Sequence, residues 1–170
     1  HRQSLELEKI FEFVDSNNMV LHVRRRNSNA GLAVGVIEGI TWFFEQVDFG
    51  VILEDDLEIS QDFFRFVSEA YEKFNSRKVS VISGNNFFGA GSSERVSAAN
   101  YPLVWGWATW RDCWNKFLTS IHDPFVPHFK PNCSPKVNAF WFAAALQSRL
   151  GLVDSWAMSF GHYIRMRDFI

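Results

Sequence analysis

Three consecutive carboxylates, Glu54, Asp55 and Asp56, are the densest concentration of reactive groups in the chain. They follow an apolar run, Phe49 to Leu53, whose length and β-branched content predict a strand buried on both faces. Behind them Ser60 offers an N-cap hydroxyl, Asp62 falls in the first turn, and Phe63, Val67, Tyr71 and Phe74 recur at helical spacing. The acids therefore sit at the carboxyl end of a strand, the edge at which open α/β sheets bind ligands. On an extended backbone Glu54 and Asp56 point one way and Asp55 the other. A hard divalent cation would relieve their mutual repulsion. The competing reading is a solvated loop with favourable helix-dipole interactions.

Two further stretches carry binding chemistry. Arg24, Arg25 and Arg26 lead into Asn27, Ser28 and Asn29, a polar loop with three cations. Guanidinium forks suit an anion such as a diphosphate, and a solvated turn is the alternative. Leu103 to Trp114, LVWGWATWRDCW, holds four Trp in twelve residues and sets Gly106 between Trp105 and Trp107, as though the backbone passes close to a flat ring. A pocket wall satisfies indole N–H groups more readily than a dry core, although at least two of these Trp are assigned to packing.

The elements that must position these groups follow from periodicity. Leu7, Ile10, Phe11 and Val14 mark a helix ended by Asn17 and Asn18, and Met19 to Val23 reads as a short strand. From Ala30 the pattern is helical, with Gly31, Gly35 and Gly39 at a four-residue repeat that suits close packing and lacks phosphate-loop spacing. A strand over Val79 to Ile82 is closed by Ser83, Gly84, Asn85 and Asn86. Gly89 to Asn100 has no periodicity and reads as a long loop, either a lid or disordered. Thr119 to Cys133, with Pro124, Pro127 and Pro131, reads as irregular. Ser134 and Pro135 then open a helix that runs to Gly151, and the last stretch is helical in part. Helix and strand in alternation predict parallel strands joined by crossover helices.

Composition bounds the class. A chain of 170 residues, 47% hydrophobic, is long enough for one domain with a substantial core. A formal net charge of -2 argues against nucleic-acid binding, which rests on a basic face. Cys113 and Cys133 are too few for a disulfide scaffold and lack zinc-site spacing, which fits a reducing, cytoplasmic compartment. No apolar run reaches the roughly 20 residues of a membrane span, and no signal-peptide pattern opens the chain.

Taken together, NAGLAVGVIEGITWFFEQVDFGVILEDDLEISQDFFRF, VISGNNF, GWATWRDCW and DSWA resemble, in this order, the core of nucleotide-sugar glycosyltransferases of the GT-A fold. The likeness is to N-acetylglucosaminyltransferase I-like enzymes and related bacterial transferases, from about Asn27 to Phe160. It implies an α/β, mostly parallel sheet flanked by helices, in a single domain over residues 1–170 shortened at both ends. It also implies transfer of a sugar from a nucleoside-diphosphate sugar to a hydroxyl of a glycan or other acceptor, assisted by Mn or Mg. By the family pattern Asp56 would be the metal ligand, and Glu54 and Asp55 would contact donor sugar and ribose. Arg26 and Asn29 would belong to the donor site, and Trp105, Gly106 and Trp107 to the sugar pocket. Asp154 matches a family carboxylate that serves as base, with a helix N-cap as the alternative. Glu58, Asp112 and Asp168 are the remaining acids for that role. Rival readings are a non-catalytic nucleotide- or glycan-binding module and a Mg-dependent phosphoryl-transfer enzyme, for which no nucleophile or phosphate loop is found.

Overall fold

The structure is a computed structural model that describes residues 2–74, 79–85, 96, 98–99, 101–123 and 133–166. Within them the chain forms α1 (Arg2–Ser16), α2 (Leu32–Phe44), β1 (Phe49–Ile52), α3 (Gln61–Lys73), β2 (Val81–Ser83), β3 (Trp107–Trp110), α4 (Arg111–Ser120), α5 (Pro135–Arg149) and α6 (Trp156–Met166). Several boundaries have local causes. Asn18 takes a left-handed φ of 53° where α1 stops, and the Met19 amide donates back to Val14 O at 3.0 Å. Ser134 Oγ accepts from Val137 N at 3.3 Å, with Pro135 in the first turn of α5.

The mostly parallel sheet expected from the sequence is not what forms. The strands lie in the order β1-β3-β2, and β3 is antiparallel to both neighbours. β1 and β2 do run in the same direction, as crossover logic requires. The later WATW segment inserts between them in reverse, pairing Ile52 with Trp107, Gly50 with Thr109 and Ile82 with Ala108. A Trp-rich stretch suited to a pocket wall therefore supplies the central strand. Met19 to Val23, read as a strand, is an exposed segment without regular secondary structure, outside the sheet.

Alternation along the strands sends side chains to two cores. Trp107 and Ile52 face Ile40, Phe44, Trp114, Phe117, Trp156 and Phe160 from α2, α4 and α6. Ala108, Trp110, Ile82, Phe49 and Val51 face Phe63, Val67 and Ala70 of α3. The sheet is thus a thin middle layer, buried on both sides by helices. Gly50 is fixed by this packing, because a Cβ there would lie 2.2 Å from Cζ of Phe43. Gly50→Ala is expected to cost about 1 to 3 kcal/mol by overpacking, read as a lower urea midpoint. Gly35 and Gly39, by contrast, would present a Cβ to open space, so close packing does not account for them.

No helix among the described residues is long and apolar enough to cross a membrane. Asn86, most of Gly89 to Asn100, the prolines Pro124, Pro127 and Pro131, and Asp168 lie outside the described residues.

Candidate functional site

β1 ends at Ile52, and the chain turns at Asp55 and Asp56 with Glu54, Asp55 and Asp56 all exposed. The turn is held from below by apolar contacts. Gly106, buried and at φ +67°, faces side chains on both sides of the acids: an added Cβ would lie 3.4 Å from Ile59 and 3.9 Å from Leu53 and Leu57. The same glycine's carbonyl accepts from Gly84 N at 3.0 Å, tying the turn's support to the end of β2. Burial raises the pKa of the Glu54 carboxyl, and the charges of Asp56 and then Asp55 raise it further. Ionising Glu54 thus opposes folding as pH rises through that raised value, a cost that a cation at the turn would offset.

The three residues of the Trp-Gly-Trp unit separate on folding. Trp105 is 51% exposed, one residue from the contact between Gly106 and the acid turn, and its carbonyl accepts from the Asn85 side-chain amide. Trp107 is 0% exposed, stacked on Trp156 at 5.7 Å and 22° and packed on Phe160 at 5.2 Å. Its indole belongs to the core. The buried Nε1–H meets no acceptor among the described residues.

Helix α2 and strand β1 are joined by a short turn, so the start of α2 and the end of β1 lie at the same end of the sheet. At that helix start Asn29 Oδ1 accepts from Gly31 N at 2.8 Å. Asp154 Oδ2 accepts from Leu32 N at 2.7 Å and Oδ1 from Ala33 N at 2.8 Å. Gly31, at φ +81°, leaves room for this, since a Cβ would stand 2.8 Å from Asp154 Oδ2. Asp154 therefore caps α2, a helix that begins 122 positions earlier, and not α6, which follows it. The Ala33 and Leu32 amides hold its carboxyl below the usual aspartate range, with a small opposing effect of burial. A depressed value favours a cap over a proton acceptor.

The sign of this shift gives a prediction. A lowered folded-state pKa adds stability at neutral pH, lost as pH falls from the ordinary value of about 3.9 through the folded one. Asp154→Asn should therefore lower the urea midpoint at neutral pH, and the gap from the parent should shrink in acid. Equal midpoints at neutral pH would remove the cap from the account.

The cationic loop is tied down by an acid that sequence reasoning missed. Arg24 Nη1 donates to the Glu38 carbonyl at 3.1 Å, Arg24 Nη2 donates to Glu38 Oε2 at 3.3 Å, and Arg26 pairs with the same Oε2. Glu38 is the only charged residue of α2, an isolation that is its visible signal in an apolar helix. Arg26 is thus partly neutralised within the fold, whereas Asn29 shapes the backbone. A cavity of about 540 Å³ between α2, α4, α5 and α6 was also missed; it is lined by Ala33, Phe117, Ser120, Ser148, Trp156 and Ser159 among others. Its hydroxyls are scattered in sequence and converge only on folding.

Oxygen-only donors in an exposed turn fit a hard divalent cation, although no group of three or more metal-ligating side chains is found among the described residues. Comparison with protein families, with curated proteins and with solved structures returned no match.

Proposed function

We propose that this chain is a metal-dependent glycosyltransferase that takes a nucleoside-diphosphate sugar at the Glu54–Asp56 turn and passes the sugar to an acceptor hydroxyl. The observation that carries the reading is the turn itself: three exposed carboxylates at the end of β1, one of them, Glu54, raised in pKa by burial first and then by the charges of Asp56 and Asp55. Asp56 would hold the cation, and Glu54 and Asp55 would accept hydrogen bonds from hydroxyls of the donor. When bound, the cation would supply Lewis-acid stabilisation of the departing diphosphate. Trp105, exposed beside the turn's support, offers a flat face to a sugar ring. The base is left unassigned, because both oxygens of Asp154 are engaged by α2.

The test is calorimetric titration of a panel of nucleoside diphosphates with and without Mn, paired with release of nucleoside diphosphate from sugar donors. Binding that requires Mn, together with turnover, supports the transferase. The 540 Å³ cavity, with its aromatic walls and hydroxyls, favours a second reading, a non-catalytic glycan- or nucleotide-binding module. That reading expects binding without a metal requirement and no turnover.

A further inference from the structure

The two cysteines occupy opposite environments. Cys113 is 2% exposed on α4, packed in the core beneath α3, and burial first and Asp112 second push its thiol up to about 11. Cys133, partly exposed and one residue before the Ser134 N-cap of α5, faces a cluster drawn from three parts of the chain. Arg165 of α6 is 5% exposed, and its Nη2 lies 3.5 Å from Cys133 Sγ and 3.3 Å from Asn138 Oδ1. The Tyr101 hydroxyl is 3.6 Å from the same sulfur. The guanidinium lies against two neighbouring aromatic rings, 4.6 Å from the Tyr101 centroid and 5.6 Å from that of Trp141, and the two rings are themselves 5.8 Å apart.

Arg165 makes this cluster more than a surface thiol. A buried guanidinium requires a counter-charge, and among the described residues no carboxylate pairs with it. Among the described residues, the Cys133 sulfur is placed to supply one. The start of α5 adds a favourable field for a thiolate, and the Ser134 amide has a smaller effect of the same sign. Arg165 is the charged group acting on Cys133, Tyr101 is the other titratable group in contact, and Asn138 and Trp141 are neutral. Hydrogen bonds from Arg165 and then Tyr101 lower the thiol's pKa from its ordinary value.

We propose that Cys133, held between Arg165 and Tyr101, is a modification site at which a hydroperoxide oxidises the sulfur to a sulfenic acid. In the step, the thiolate sulfur attacks the terminal peroxide oxygen, forming an S–O bond as the O–O bond breaks. The leaving alkoxide or hydroxide departs with the electron pair and takes a proton from water. Sulfur loses two electrons and the hydroperoxide gains them, giving sulfenic acid and an alcohol or water. Oxidation replaces an anion by a largely neutral group beside Arg165, and so weakens the contact between the residue preceding α5 and α6.

The test treats the 170-residue protein with hydrogen peroxide, traps sulfenic acid with dimedone, and measures each cysteine by mass spectrometry; iodoacetamide rates against pH give the thiol midpoints. Cys133 should be trapped and Cys113 not, with a Cys133 midpoint below the ordinary thiol value of about 8.5. Arg165→Gln should slow Cys133 alkylation at neutral pH by about 10-fold, because the thiolate loses its nearest positive charge. Tyr101→Phe changes a more exposed residue, and it should slow the reaction by a smaller factor even if Arg165→Gln fails to fold. A Cys133 midpoint at or above the ordinary value, or a rate unmoved in Tyr101→Phe, would overturn the assignment.

Discussion

Trp107→Ala is expected to remove about 3 to 5 kcal/mol of stability. Trp107 sits fully buried in the central strand and touches both Trp156 and Phe160 of α6. It also lies opposite Ile52, the last residue of β1 before the acids. The hole would open where sheet and helices meet, and neighbouring rings cannot collapse into it without moving the strand. Trp107→Phe should cost much less. It gives up part of the ring but also removes a buried N–H that meets no acceptor among the described residues, a group whose desolvation costs about 1 to 3 kcal/mol. Urea midpoints of the two variants give the comparison. If Phe proves as damaging as Ala, the indole N–H has a partner and the core reading of this residue is incomplete.

Asp56→Ala is expected to reduce Mn-dependent affinity for a nucleoside diphosphate by about 100-fold or more, beyond the loss typical of residues that only support a metal ligand. The urea midpoint should hardly move, because the side chain is exposed in a turn that is held by Leu53, Leu57, Ile59 and Gly106. Removing one charge from the triplet should also bring Glu54 back towards its ordinary pKa, although burial, the larger cause, will keep it raised. Carbon-detected NMR titration of Glu54 reads that shift independently of any ligand. An unchanged Mn-dependent affinity would take Asp56 out of the site.

The acid turn was legible because its signals are local: an apolar run, a block of carboxylates, then a helix with Asp62 in its first turn. The Ser134–Pro135 start of α5 and the end of α1 at Asn18 were legible for the same reason. Sheet order was not. WATW pairs with strands that precede it by more than 20 residues, and no local pattern tells a central reversed strand from an apolar pocket wall. Trp107 and Trp110 enter opposite cores, so tryptophan spacing carried the information, but only once the segment is known to be extended. Asp154 is a long-range case too. It was visible as a cap or a base, yet the helix it caps begins 122 positions earlier. Met19 to Val23 shows the limit of propensity, since a β-prone segment without a ladder neighbour forms no strand and stays exposed.

The claim that a cation and a nucleotide meet at the acid turn is tested most directly by paramagnetic broadening. Mn is added to isotope-labelled protein in the presence of a nucleoside diphosphate, and amide signals are followed residue by residue. The account predicts that Leu53 to Ile59 and Gly106 broaden first, more strongly with the nucleotide than with Mn alone. Broadening centred elsewhere, or the same weak broadening at the turn with and without nucleotide, would contradict it.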